Sequence, residues 1–202
     1  MQSAYTFYIL GLNLILATFS DQAVTALGLY YKWQTFFFIP LGAMQTCIVP
    51  VISYNYGAGQ YLRVRQGIKF LTKIALLYTS IAWCILDFFP EFFIHLFNSE
   101  EEMLLLGVPA LHIYFLGFFM MAFQSAGQTT FISLGMGKYA TFFSLFRKVI
   151  LVIPLTIFLP NLWDLGVYGV FYAEMISNFV GGIACFSTMM MVVWRRLGKL
   201  NK

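Results

Sequence analysis

Lys32 and Glu174 are two opposite charges that a surrounding apolar run should least tolerate. A charge there is costly unless it is paired, hydrogen-bonded or facing water, so both residues are candidates for work on a polar substrate or a moving ion. Counted from the ends of their runs at Val24 and Val167, they sit at about 10 to 12 Å depth. Equal depth and opposite sign make a Lys32–Glu174 pair possible; a Lys32 that snorkels to the nearer surface is the plainer alternative. Ser177 and Asn178 follow Glu174 by one turn. Gln34 and Gln45 share one helix face, and Lys32, Thr35, Gly42, Thr46 and Ser53 share another. Gln124 and Gln128 lie one turn apart further on. These amides and hydroxyls suit reversible hydrogen bonding to a passing solute, or hydrogen bonds between helices. His112 has no second histidine near it and reads as a residue of the bundle. Arg147 and Lys148 lie within snorkelling reach of a surface. No paired aspartates and no Ser/His pair at one depth suggest an intramembrane enzyme.

The elements that position these residues are apolar helices. Apolar residues make up 60% of the 202 and charged ones 10%, with a mean hydropathy of +0.80, whereas soluble domains carry about 25% charge. The expected spans are 1–19, 24–54, 68–89, 103–134, 139–159 and 167–194, an all-α membrane protein of six transmembrane helices. The segment from Glu91 to Glu102 is expected to lie along the interface. Pro40 and Pro50 deprive the carbonyls of Phe36 and Thr46 of their helical donors and should bend the second span, which membrane helices tolerate. The Asn55-Tyr56-Gly57 run then ends that span, with aromatics at interface depth and glycines for a left-handed exit.

Charge placement orients the map. With the first turn outside, every basic residue except Lys32 falls on the cytoplasmic side, from Arg63 and Arg65 through Lys138 to Lys202. Asp21, Glu91, Glu100, Glu101, Glu102 and Asp164 fall outside, and Asp87 lies just within the outer boundary. Both termini are therefore expected in the cytoplasm of a cell membrane. The net charge of +4 is spread over loops, which argues against nucleic acid as a partner. Cys47, Cys84 and Cys185 lie in apolar runs and are expected as free, buried thiols rather than disulfides or a metal site.

The run GLYYKWQTFFFIPLGAMQTCIVPVISYNYGAGQYLRVRQ resembles the eighth helix of multidrug and toxic compound extrusion (MATE) transporters, closest to the prokaryotic Firmicutes-type drug exporters. FISLGMGKYATFFSLFRKVILVIPL resembles the family's tenth-to-eleventh helix junction, with a Leu-Gly-x-Gly turn, Ser144, Arg147 and Pro154. LGVYGVFYAEMISNFVGG resembles the last helix. The resemblance implies the C-terminal six-helix lobe of a twelve-helix antiporter, with an N-terminal lobe as the absent partner. The implied activity is export of small amphipathic, often cationic compounds, driven by protons or sodium, with no cofactor and no metal. The acids that one branch of the family carries in its seventh and tenth helices have no counterpart in 1–19 or 103–134, which leaves the coupling acid to the other lobe. The other readings are a flippase for lipid-linked sugars, whose cleft should hold several cations where only Lys32 is in view, and a structural six-helix membrane subunit.

Overall fold

The computed structural model describes residues 2–97, 101–162 and 165–200. The expected positions of Met1, Glu100, Asp164 and Lys202 lie outside the described residues. Helix α1 covers Gln2–Ala17, α2 Asp21–Gly57, α3 Tyr61–Phe88, α4 Pro90–His95, α5 Glu101–Phe115 and α6 Met120–Ser133. Then come α7 (Gly137–Leu145), a π-helical segment (Phe146–Val152), α8 (Ile153–Phe158) and a 3₁₀ turn (Leu159–Asn161). Helix α9 (Val167–Met189), a second π segment (Met190–Trp194) and α10 (Arg195–Leu200) complete the chain.

Among the described residues, four continuous helical stretches are long and apolar enough to cross a membrane: Asp21–Gly57, Tyr61–Phe88, Gly137–Asn161 and Val167–Leu200. A fifth is the bent pair Leu104–Phe115 and Met120–Ser133. Helix α1, with 16 residues, is the short member of the expected six, at about 24 Å long.

Ser20 starts α2, its hydroxyl accepting from the Ala23 N–H at 3.1 Å. The helix then runs through both prolines without interruption to Gly57. Near Pro50, Ser53 Oγ donates to the carbonyls of Val49 and Ser133, 2.8 Å each, which ties α2 to the end of α6. The left-handed exit falls on Gly59, φ +70°, not on Gly57; Gly135 takes the same conformation in the Leu-Gly-x-Gly turn, φ +72°. Helix α3 begins seven residues before the expected span, so Arg63 and Arg65 lie in its first turns rather than in a loop.

The sharp break lies in the fourth span, expected as continuous: α5 and α6 meet at 46°. Between them the backbone tightens to three-residue bonds, Phe118 N–H to Phe115 O and Met120 N–H to Gly117 O, at 2.8 and 3.1 Å. Gly117 lets this break approach α9, since a Cβ there would lie 3.1 Å from Asn178 Cβ and from the Met175 carbonyl. Two further glycines bring α9 against its neighbours. A Cβ on Gly182 would meet the Met120 carbonyl at 2.7 Å, and one on Gly181 the Arg147 stem at 2.9 Å.

The buried side chains form two large clusters at opposite ends. One joins Leu27, Leu86, Phe93, Leu111 and Val170 near the ends expected outside, and reaches mid-span at Tyr8 and Val152. The other joins Ile52, Val64, Phe131, Ala140, Met189 and Leu197, the ends expected inside. At that second end Arg65 stacks over Trp194 at 4.1 Å, with Lys69 at 5.6 Å, which fixes the start of α3 beside the end of the last span. Between the two clusters the core thins to Leu41, Ala75 and Ala122.

Candidate functional site

Beside that thin middle, a cleft of about 220 Å³ opens between α2, α6 and the first π segment. Phe38, Gly42 and Gln45 come from α2, Met121, Gln124, Ser125 and Gln128 from α6, and Ser144, Arg147 and Lys148 from the α7–π stretch. Four of the residues singled out in the sequence, Gln45, Gln124, Gln128 and Arg147, thus share one cavity.

Each wall has a local reason. Gln45 Nε2 donates to Ser125 Oγ at 2.6 Å, which fixes α2 against α6 below the 46° break. Gln128 Nε2 reaches the Ala140 carbonyl at 3.4 Å, the far end of its hydrogen-bonding range. Gln124 is 7% exposed, and its backbone carbonyl accepts from Cys185 Sγ at 3.7 Å. Gln34 stands just outside the cleft. Its amide oxygen accepts from Tyr114 O–H at 2.6 Å, and its nitrogen donates to Met121 Sδ at 3.6 Å.

Arg147 corrects the snorkelling expectation. It lies eight residues in from the expected inner boundary at Tyr139, about 12 Å along the helix and so near the middle of a 30 Å hydrocarbon layer. There its side chain is 7% exposed. The guanidinium donates to the amide oxygen of Asn178, which is 3% exposed, and its stem fills the space left by Gly181. Stem and head are both held, so the charge stays at the midplane. Adjacent residues on an α-helix diverge by 100°; the wider π turn, just ahead of Pro154, borders the cleft with both Arg147 and Lys148. Lys148 Nζ also lies 6.0 Å from the centre of the Tyr8 ring.

The Lys32–Glu174 pair does not form. Lys32 is exposed and its ammonium sits over the Phe97 ring at 5.0 Å, so it snorkels to the outer aromatic segment beyond α4. Glu174 is 2% exposed on α9, and its Oε1 has no hydrogen-bond partner. It stands one turn before Asn178 on the helix that holds Arg147. Thr35 and Thr46 are exposed and turned away from the cleft, while Gly42 of the same stripe lines it. Asn55 donates to the Val51 carbonyl at 2.8 Å, and Tyr56 meets Tyr61 edge-on at 5.9 Å; both belong to the α2 exit, not to the cleft. Cys47, Cys84 and Cys185 are free thiols, though Cys47 is exposed rather than buried.

Sequence reasoning missed Ser125, Ser144 and Lys148 as wall residues, and the hydrogen bond between His112 Nδ1 and Asp87 Oδ1 at 2.6 Å. The pair joins α5 to α3 at the outer end. An imidazole and a carboxylate at one boundary depth were the available signal, and no second histidine is needed to make a partner.

A bundle of apolar helices with a polar cleft at mid-depth defines a membrane transport protein, and the comparisons agree. The MatE family model matches residues 1–158. The chain belongs to the MatE family of membrane transporters. A FAD transporter of Shewanella oneidensis is 26% identical over 181 residues, covering 85% of this chain and 38% of that protein. The outward-facing structure of a multidrug resistance MATE transporter of the MOP superfamily superposes with a TM-score of 0.89 at 18% identity. That match covers 99% of this chain and 44% of the other. A MOP superfamily transporter from Pyrococcus furiosus, described as having a binding pocket of reverse polarity, gives 0.89 at 19% identity, covering 100% and 44%. The chain thus spans less than half the length of these relatives.

Proposed function

We propose that the chain works as the C-terminal lobe of a two-lobe secondary antiporter, exporting small amphipathic compounds in exchange for protons or sodium. The observation that carries this reading is the mid-depth cleft, with Phe38 and Met121 for an apolar body and Gln45, Gln128 and Ser144 for polar groups. Its volume of about 220 Å³ falls below the 300 Å³ or so at which ligand pockets usually begin, so it is one wall of a site completed by a second lobe. Rocking of two lobes about such a site alternates its access. The break between α5 and α6 and the two π segments supply irregular backbone where the lobe flexes. Convergence of the basic helix ends on Trp194 supports a plasma-membrane orientation with both ends of the chain cytoplasmic.

Accumulation of a fluorescent amphiphile in cells lacking their own exporters tests the proposal. The chain with an N-terminal lobe should lower accumulation, and a gradient uncoupler should restore it. The chain alone should insert without effect. Equal efflux by the chain alone, insensitive to the uncoupler, would overturn the two-lobe antiporter.

A further inference from the structure

We infer that the cleft reads the charge of its cargo and takes the phosphate of an anionic amphiphile, with Arg147 and Lys148 as the recognition pair. The inference rests on the transport reading and adds the sign of the substrate's charge.

The residues lining the cleft include two cations and no carboxylate; the remaining polar groups are neutral amides and hydroxyls. An arginine in a protein stays protonated, so this positive charge cannot be lost by titration at the midplane. Nor can it be withdrawn, because Asn178 holds the head and the gap at Gly181 holds the stem. Charge at a bilayer centre costs roughly 3 kcal/mol on insertion scales. A lobe that fixes it there, beside a second cation one residue on, disfavours cationic cargo and rewards an anion. Guanidinium suits phosphate through its fork of donors, and ammonium adds a point charge from the neighbouring position. Ser144 adds a hydroxyl at the same end. Phe38 and Met121 form the apolar part of the wall, which fits an aromatic body attached to that phosphate. The family resemblance implies cargo that is often cationic, and the argument against a lipid-linked cargo supposed that Lys32 was the only cation available to the cleft. The cleft contradicts that supposition.

Riboflavin and riboflavin 5′-phosphate differ by the phosphate alone and make a matched pair of probes. Their binding to the chain joined to an N-terminal lobe, in phosphatidylcholine nanodiscs, is read by flavin fluorescence polarisation, with tetraphenylphosphonium as the cationic probe. The phosphate ester should bind at least about tenfold more tightly than riboflavin, with the preference shrinking as salt rises. Lys148→Gln should reduce that preference to about threefold or less at unchanged helical content. Lys148 is the better variant, since Arg147→Gln also removes the bond to Asn178 and risks the fold. Nanodiscs containing phosphatidylglycerol separate two sources of the phosphate. Displacement of the flavin ester assigns the site to a lipid headgroup, and retention assigns it to a soluble amphiphile; either keeps the anion site. Equal binding of the two flavins, or tighter binding of tetraphenylphosphonium, would overturn the inference and leave the antiporter reading standing on the efflux assay.

Discussion

Arg147 shows why a side chain's chemistry was legible and its place was not. Its type and its Ser144–Arg147–Pro154 spacing stood out in the sequence, yet the run around it allowed a snorkelling conformation. What holds it at mid-depth is the missing side chain of Gly181 on another helix, and no local pattern records that contact. The same gap makes a test. Gly181→Val should press on the Arg147 stem and lower stability by about 1–3 kcal/mol, measured as the unfolding midpoint in detergent. An unchanged midpoint would mean that the stem is not confined there. Lys32 illustrates the converse. Depth alone suggested a partner in Glu174, but four carbons of stem are enough to carry the ammonium to Phe97. Lys32→Gln should therefore cost no more than about 1 kcal/mol, the worth of an exposed cation–π contact. A loss near that expected for stranding a buried ion, about 3–5 kcal/mol, would restore the pair.

At the scale of the element, the apolar runs and their order were readable, because each span needs a stretch of bilayer length. Where a span breaks was harder to read. Pro40 and Pro50 drew attention to α2, which stays helical through both, while Gly117 lies at the 46° break between α5 and α6. A proline alone removes one donor; the bend also needs room for the turn to approach α9, and Gly117 supplies it. Two glycine substitutions separate helix propensity from packing. Gly28, with nothing within 4 Å of an added Cβ, should tolerate alanine and gain about 0.5–1 kcal/mol. Gly182→Ala must displace the Met120 carbonyl and should lose stability instead. Opposite shifts in thermal midpoint are expected, and shifts of the same sign would contradict the close packing of α9 on α6. The π segment was not legible either. Nothing in Phe146–Val152 distinguishes a π from an α turn locally, yet that turn borders the cleft with Lys148 as well as Arg147.

For the whole molecule, the alternation of charge along the sequence set the expected direction of each span. The two large clusters, one drawn mainly from the outer halves of the spans and reaching mid-depth at Tyr8 and Met121, the other from inner ends, fit that alternation. In a cysteine-free background, Glu101→Cys should react with an impermeant maleimide added outside, and Arg63→Cys only after the membrane is opened; the reverse would invert the map. The cleft lies between the end clusters, where transporters of this kind keep their sites. The most direct measurement joins the chain to an N-terminal lobe in proteoliposomes and follows the internal proton or sodium concentration while an amphipathic substrate moves. The account predicts counterflow of the ion with substrate, abolished when the gradient is collapsed, and at least about tenfold slower for Gln128→Leu at equal folded yield, a loss of about 1.4 kcal/mol in the barrier. Substrate movement that ignores the gradient and the Gln128 substitution alike would contradict it.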